Sequence, residues 1–151
     1  MQRKEWRLHD KTQWPERGPW DDEPDKVQWQ DEATGLPCLA VRSRSHWCGY
    51  VGVPEGHPLF NVDEHTACVE AHGGLTFADL CQPESADGPA ICHVPDPGES
   101  EHIWWFGFDC AHLGDFIPAT DGTRLAIQFM SGDRGQYRSL EYVENECRQL
   151  A

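Results

Sequence analysis

The stretch HIWWFGFDCAHLGD, residues 102–115, joins the most apolar segment of the chain to its densest group of reactive side chains. The segment 103–108 is too short to cross a membrane and is rich in aromatic residues, so it predicts a buried β-strand. Four reactive side chains follow at or just beyond the end of this strand: Asp109, Cys110, His112 and Asp115. Because strand ends and the loops after them present side chains from a rigid sheet to solvent, we expect a functional site here.

The composition limits the class of protein and of partner. A chain of 151 residues has the length of one domain, and seven Trp, six Phe and three Tyr supply large side chains to bury. The 26 acidic residues outnumber the 12 basic ones, and the formal net charge of -14 disfavours binding to polymeric nucleic acid and to anionic membrane surfaces. A small anionic ligand remains compatible with this charge, because a pocket can be locally positive.

The cysteines and the first residues of the chain predict a cytoplasmic protein with reduced thiols. Seven Cys is an odd number, and residues 1–10 lack the apolar segment of a signal peptide. No Cys-x-x-Cys pair occurs, so a structural zinc knuckle built on His46 with Cys48, or on Cys92 with His93, is a minor alternative. No run approaches the ~20 apolar residues that a membrane-spanning helix needs.

The order of the predicted elements indicates an α+β fold. Residues 1–20 show no sustained periodicity and predict an irregular N-terminal arm, which precedes a single α+β domain over residues 21–151. Two apolar, β-prone runs at 36–41 and 47–53 flank a polar turn and predict a hairpin. From Tyr137 the apolar residues recur every three or four positions, which predicts a C-terminal amphipathic helix. Strands first and a helix last favour an antiparallel or mixed sheet with long loops.

The remaining segments give shorter predictions. The acidic start and the proline of residues 22–29 predict the opening of a short helix. Residues 66–72 and residues 125–130 alternate between apolar and polar side chains, so each predicts a strand. Residues 81–101 are rich in Pro and Gly and predict a long loop.

The residues after the buried strand are compatible with two kinds of chemistry. Asp109, His112 and Asp115 are spaced three apart, so they would occupy about a 120° arc over a helical turn and a half, or converge from a tight loop, and could share one ligand. Oxygen and nitrogen donors of this kind suit Zn²⁺, Mn²⁺ or Mg²⁺, and the same set without metal is a His general base oriented by a carboxylate. The structural alternative is that one Asp caps a turn, the His is hydrogen-bonded within the fold, and the other Asp is exposed to solvent. Cys110 as a nucleophile with His112 as its base ranks below these interpretations.

A second candidate segment is His72-Gly73-Gly74. A His at the end of a predicted strand supplies a further catalytic side chain, and two glycines allow the backbone to approach a ligand closely. The free N–H groups of Gly73 and Gly74 would then hold an anion. The structural alternative is an ordinary Gly-Gly turn beside an exposed His.

Aromatic and His side chains in other segments predict the walls of a ligand pocket, as aromatic rings do when they stack on nucleobases. The candidate ligand-binding residues outside the glycine segment are His46, Trp47, Tyr50, His57, Trp104 and Trp105. The structural alternative is that these aromatic residues belong to the core.

Several unusual motifs occur in a fixed order: HWCGYVGVPEGHP at 46–58, HGGLTF at 72–77, WWFGFDCAHLGD at 104–115, and a last one that runs from Tyr137 to Cys147. In this order they resemble a family of small proteins encoded by tailed bacteriophages and prophages, over about residues 18–151. The resemblance implies a phage context and a place in the cytoplasm of the bacterial host, and it supplies no mechanism. Because small phage proteins often act against host defence signalling, that role is an expectation from context.

Three functions are compatible with these residues, since no Walker loop, Rossmann fingerprint, His-Glu-x-x-His helix or Gly-x-Ser-x-Gly elbow is present. The first is a small hydrolase, such as a phosphodiesterase of small nucleotides, that uses His72 and the three residues after the buried strand around a metal or an activated water. The second is a non-catalytic protein that sequesters a nucleotide signal in the same pocket. The third is an acidic inhibitor that binds a host protein. The grouping of His and Trp favours the pocket over the charged surface.

Overall fold

The chain is built on a six-stranded antiparallel sheet, in a computed structural model that describes residues 1–84, 89–118 and 135–151. The strands are β1 (Lys4–Trp6), β2 (Lys26–Gln30), β3 (Pro37–Ser43), β4 (His46–Pro54), β5 (Phe77–Asp79) and β6 (Ile103–Asp109). They lie in the order β1-β2-β3-β4-β6-β5, and each neighbouring pair is antiparallel. The described residues end with a helix, α1 (Leu140–Leu150). The predicted α+β fold is confirmed; the strand predicted at 125–130 lies outside the described residues.

The centre of the sheet follows the hydrophobic pattern of the sequence. β3 and β4 form the predicted hairpin, in which Ser43 pairs with His46 and the turn between them places Arg44 at a positive φ of 54°. β6 is the predicted buried strand, and it pairs with β4 along its whole length, from Ile103 opposite Pro54 to Asp109 opposite Cys48. The end of β6 therefore lies beside the start of β4, and this end of the sheet carries the candidate site.

Helix α1 covers one face of the sheet, as its amphipathic pattern predicts. Ser139 caps the helix by accepting a hydrogen bond from the backbone N–H of Tyr142 (3.2 Å), which sets its start. Val143 and Cys147 are fully buried and belong to a core cluster that includes Val51 of β4 and Phe108 of β6. Within the described part of the chain, no helix has both the length and the apolar character of a membrane span.

The opposite face is covered by the long loop between β5 and β6, so the sheet is buried on both sides. The ammonium of Lys26 donates to the backbone oxygens of Ala90 and Cys92 (2.8 Å each), which ties this loop to β2. Cys81 and Cys92 are joined by a disulfide across the loop. This differs from the expectation that all thiols are reduced, because backbone pairing of the loop brings the two residues opposite each other, at a Cα–Cα distance of 4.9 Å.

The prediction of a short helix over residues 22–29 is wrong. β2 begins at Lys26, and it pairs with β1 on one side and β3 on the other. Val27 faces the core under α1, and Gln28 on the opposite face binds the long loop, so side chains alternate as they do in a strand. The acidic residue Asp25 pairs with Arg42 of β3 instead of stabilising a helix start.

The prediction of a strand over residues 66–72 is also wrong. Asp63 accepts hydrogen bonds from the backbone N–H groups of His65 (3.0 Å) and Thr66 (2.8 Å), which folds this segment into turns. Cys68 has a positive φ of 53°, which interrupts any extended run. The alternation of residues in this segment therefore reflects local turns and not a pleated strand.

Residues 1–20, predicted to be an irregular arm, contain an edge strand, a single turn of 3-10 helix at Lys11–Gln13 and the start of a second turn at Pro19–Asp21. β1 has three residues, too few to show a two-residue period in the sequence. Trp20 is buried, and its ring lies 5.0 Å from that of Tyr137. The N-terminal segment is thus part of the folded unit and covers the edge of the sheet.

Close packing at Gly49 gives a test of the β4–β6 core. A methyl group at this position would lie 2.3 Å from the Phe108 ring and 3.0 Å from the Cys147 sulfur. We expect Gly49→Ala to lower the free energy of unfolding by about 1–3 kcal/mol, because overpacking forces neighbouring side chains to move. Urea denaturation measures this loss. Phe108→Leu should make room for the methyl group, so the Gly49→Ala/Phe108→Leu double variant should lose less stability than the sum of the two single losses. Losses that simply add would contradict this packing.

Candidate functional site

The candidate site lies where β6 ends, beside the start of α1. The backbone N–H of Asp115 donates to the carbonyl of His112 (3.0 Å), which closes the loop after β6 into a turn. The next residue, Phe116, donates from its backbone to Gln136 (2.9 Å), and Gln136 donates to Gly114 (2.7 Å). These bonds hold the loop against the residues that lead into α1.

The carboxylate of Asp115 is the centre of the site and is 2 % exposed. It lies 2.8 Å from Nε2 of His72 and accepts hydrogen bonds from Nε of Arg138 (2.8 Å) and from the backbone N–H of His112 (3.0 Å). Burial alone would raise the pKa of Asp115, but the hydrogen bonds from His72, Arg138 and the His112 backbone outweigh it and lower that pKa. Asp115 is therefore an ionised carboxylate that fixes three groups.

His72 links this carboxylate to a phenol. Its Nδ1 lies 2.8 Å from the hydroxyl oxygen of Tyr142 on α1. Because an ionised carboxylate only accepts hydrogen bonds, Nε2 of His72 carries the proton toward Asp115. In the neutral ring Nδ1 is then the acceptor, so the Tyr142 hydroxyl donates to it. The result is a chain of the form carboxylate–imidazole–phenol.

A second His–carboxylate pair lies next to the first. The ring of His112 is 5.7 Å from that of His72, between ring centres, and its Nε2 lies 3.4 Å from Oδ1 of Asp109. Gly73 has a positive φ of 68°, and a Cβ there would lie 2.1 Å from Nε2 of His112, so only glycine leaves room for this ring. The side chains of His112 and Asp109 are 34 % and 27 % exposed, whereas the Nε2 atom of His112 is itself buried and makes no hydrogen bond among the described residues.

The structure brings together the four predicted catalytic residues, but it does not favour the predicted metal site. Both oxygens of Asp115 already face hydrogen-bond donors, and Oδ1 of Asp109 accepts from the backbone N–H of Ala111 (3.1 Å). Among the described residues, no three His, Cys, Asp or Glu side chains are arranged to hold a metal ion. A metal would have to compete with these hydrogen-bond donors for the carboxylate oxygens, and the metal site stays a prediction.

Of the two backbone N–H groups predicted to hold an anion, those of Gly73 and Gly74, one already has a partner in the structure. The backbone N–H of Gly74 donates to the carbonyl of Ala71 (2.8 Å) and closes a turn, so it is not free for a ligand. Gly73 serves to admit the ring of His112. The two glycines thus build the site by their conformation, with a positive φ at each.

Most of the predicted aromatic walls belong to the core. Trp47 and Trp105 are fully buried, and Tyr50 is 7 % exposed and packs edge-on against Phe77. The indole N–H of Trp47 donates to Glu23 (2.6 Å), which fixes that ring inside the protein. Large aromatic residues in the central strands of a sheet that is covered on both faces are buried by the fold itself.

The other predicted ligand-binding residues are spread between the two ends of the sheet. His46 begins β4 at the end where β6 finishes, so it lies on the site's side. His57 follows the far end of β4, and its Nδ1 accepts from the backbone N–H of Leu59 (3.2 Å). Trp104 is near that same far end and donates to the carbonyl of Val62 (2.9 Å). A nine-residue strand is about 27 Å long, so His57 and Trp104 are remote from the site.

The surroundings of Cys110 disfavour a role as the nucleophile. The residue is 2 % exposed, and burial together with the nearby Asp115 charge raises the pKa of its thiol well above the ordinary value. A buried, protonated thiol is a weak nucleophile. Cys110 is a core residue in this fold.

Two residues of the site were not predicted as such, Arg138 and Tyr142. Arg138 precedes the helix by two residues, where the helix dipole disfavours a positive charge, and this unusual position is a signal of a specific carboxylate partner. Its guanidinium also lies 4.9 Å from the centre of the Tyr142 ring.

A separate cluster of charged side chains lies buried beneath the N-terminal segment. Arg42 is fully buried and donates to Asp25 (3.1 Å) and to Glu23 (3.2 Å), and the ammonium of Lys11 lies 2.9 Å from the same oxygen of Asp25. Burial alone would raise the pKa of Asp25, but two backbone N–H groups and Lys11 outweigh it and lower that pKa. The charges of this cluster are paired with one another, which is typical of a structural network.

A functional interpretation of this chain rests on the geometry of the candidate site. No protein-family model, no curated protein and no solved structure matches this chain.

Proposed function

We propose that this protein is a small hydrolase that cleaves low-molecular-weight phosphodiesters, including small nucleotides, by general acid–base chemistry without a metal. His72 is the general base, oriented by Asp115, and His112 is the general acid, placed beside Asp109. Arg138 offers a fixed positive charge next to the base, where negative charge develops on phosphate oxygens.

The observation that carries the proposal is the double contact of Asp115, 2.8 Å from Nε2 of His72 and 2.8 Å from Nε of Arg138. A buried carboxylate that holds an imidazole in one tautomer is the arrangement that makes His an efficient base. The second imidazole lies 5.7 Å away, between ring centres, so a base and an acid are neighbours in one site. A base and an acid on one phosphodiester are what its hydrolysis requires.

The charge distribution supports a small substrate. The net charge of -14 repels long polyanions, whereas two imidazoles and a guanidinium make the site itself a local source of hydrogen-bond donors. Because the predicted aromatic walls lie in the core, recognition of a base by stacking receives no support. The phosphodiester group is thus the part of the substrate that the site addresses.

The context of this activity follows from the resemblance to a phage-encoded family. We place the protein in the cytoplasm of a bacterial host, where nucleotide signals of the host defence are phosphodiesters of suitable size. There the Cys81–Cys92 pair faces reducing conditions, and the backbone bonds between Gln82 and Ile91 hold the loop independently of it.

The experiment is a turnover assay on a panel of bis(4-nitrophenyl) phosphate, 2′,3′-cyclic nucleotides and cyclic dinucleotides, with and without EDTA. We expect turnover of at least one diester, and a rate that EDTA changes by less than about a factor of two, because no step uses a metal. Added Zn²⁺, Mn²⁺ or Mg²⁺ should leave the rate equally unaffected. A rate that EDTA abolishes and one of these metals restores would contradict the metal-independent mechanism.

Sequestration of a small ligand is the second candidate, because both ring nitrogens of His72 already have partners and the site is preformed. A sequestering protein shows a thermal shift with the diester and returns it intact on denaturation. Inhibition of a host protein by the acidic surface is tested by a pull-down at low and high salt, since charge-driven binding weakens with salt.

A further inference from the structure

We infer that Tyr142 is the nucleophile of this site and forms a covalent phosphotyrosyl intermediate with the substrate. The inference rests on the proposed phosphodiesterase function and names the group whose proton His72 removes. It follows from the hydroxyl of Tyr142 standing 2.8 Å from Nδ1 of His72, with Asp115 at the opposite nitrogen.

The direction of each hydrogen bond fixes the roles. Asp115 accepts from Nε2, so Nδ1 of the neutral ring must accept and the phenol must donate. Nucleophile, base and orienting carboxylate are then in contact in the order found in activated hydroxyl nucleophiles. A water molecule that attacked directly would first have to displace Tyr142 from Nδ1, whereas the phenol is already in place.

Access and electrostatics are consistent with this role. Tyr142 is half-buried on the first turn of α1, and its ring packs edge-on against the ring of His72, so its hydroxyl is held in place by the protein. Burial raises the pKa of the phenol, which keeps it protonated at neutral pH and makes a base necessary. The guanidinium of Arg138, 4.9 Å from the ring centre, stabilises negative charge as it develops on the phenol.

The chemical steps balance without any further reagent. The hydroxyl proton of Tyr142 passes to Nδ1 of His72 as the phenolic oxygen bonds to phosphorus, and the bond from phosphorus to the leaving oxygen breaks. Protonated His112 donates its proton to that oxygen, which departs as an alcohol. Water then attacks phosphorus and loses a proton to His112, the Tyr142–phosphorus bond breaks, and the phenolic oxygen regains its proton from His72. The sum is diester plus water giving monoester plus alcohol.

The test is a rapid-quench reaction of the full chain with bis(4-nitrophenyl) phosphate, followed by intact-mass and peptide mass spectrometry. We expect a burst of one nitrophenolate per protein molecule and a 4-nitrophenyl phosphoryl adduct on Tyr142. Tyr142→Phe should lose both the burst and the adduct, and its turnover should fall by about 10²-fold or more. Tyr50→Phe, on the opposite face of the sheet, is the matched control and should retain both.

The outcomes separate this inference from the proposed function. If Tyr142→Phe turns over the diester as the wild type does, and the wild type gives no adduct, Tyr142 is not the nucleophile and the hydrolase proposal stands. If turnover is lost in Tyr142→Phe but the folded wild type never gives a burst or an adduct, the nucleophile assignment is overturned and Tyr142 is a positioning residue. If the wild type turns over no diester and forms no adduct, both proposals fail.

Discussion

Replacement of Asp115 by Asn is expected to lower kcat for phosphodiester hydrolysis by about 10²–10⁴-fold, with little change in KM. An Asn side chain keeps the volume of Asp but can present its NH₂ group to Nε2 of His72. The ring proton then moves to Nδ1, and the imidazole can no longer accept the proton of Tyr142. The loss would thus be one of tautomer and charge, and steady-state kinetics on the diester with the highest turnover measures it.

A matched substitution tells a chemical effect from a general loss of structure. Asp63→Asn changes an exposed Asp in the turns that precede His72, and its kcat should stay within about twofold of the wild type. His72→Gln should reproduce the fall seen for Asp115→Asn, because it removes the base itself. Wild-type kcat in a folded Asp115→Asn protein would show that the carboxylate does not orient a base.

The fold was predictable where the pattern extends over several residues. The hairpin, the strand over residues 103–108 and the C-terminal helix each bury a continuous face, and a buried face leaves a period in the sequence. β1, β2 and β5 were not predicted, because β1 and β5 have three residues each and β2 begins among acidic residues that resemble a helix start. The segment 66–72 alternates for local reasons, since the Asp63 turn and the positive φ of Cys68 decide its conformation.

The site was predictable in its acidic and His residues and not in its partners. The spacing of Asp109, His112 and Asp115 after a buried strand indicated a cluster, and the structure places His72 beside it. What the sequence could not define is which donor faces each carboxylate. Arg138 donates to one oxygen of Asp115, and backbone hydrogen bonds between Gln136 and the loop after β6 bring the two residues together. Such contacts depend on tertiary structure alone.

Replacement of Arg42 by Met is expected to lower the free energy of unfolding by about 3–5 kcal/mol, the largest stability effect that we predict for this protein. Met fills a similar volume and removes the positive charge. Asp25, which is fully buried, and Glu23 would each lose a charged partner, at 3.1 and 3.2 Å respectively, without regaining water. The guanidinium also stacks on Trp47 at 4.2 Å, so this ring loses a neighbour as well. Urea denaturation followed by Trp fluorescence measures the change.

The control is Arg3→Met, which removes an Arg whose side chain is 44 % exposed and whose partners are Glu5 and Glu144. Exposed ion pairs contribute little, so this loss should stay below about 1 kcal/mol. Because the cost at Arg42 arises from stranded carboxylates, adding Asp25→Asn to Arg42→Met should cost less than the sum of the two single losses. An Arg42→Met protein as stable as the Arg3→Met protein would mean that water reaches these carboxylates, and that the segment over them does not seal the cluster.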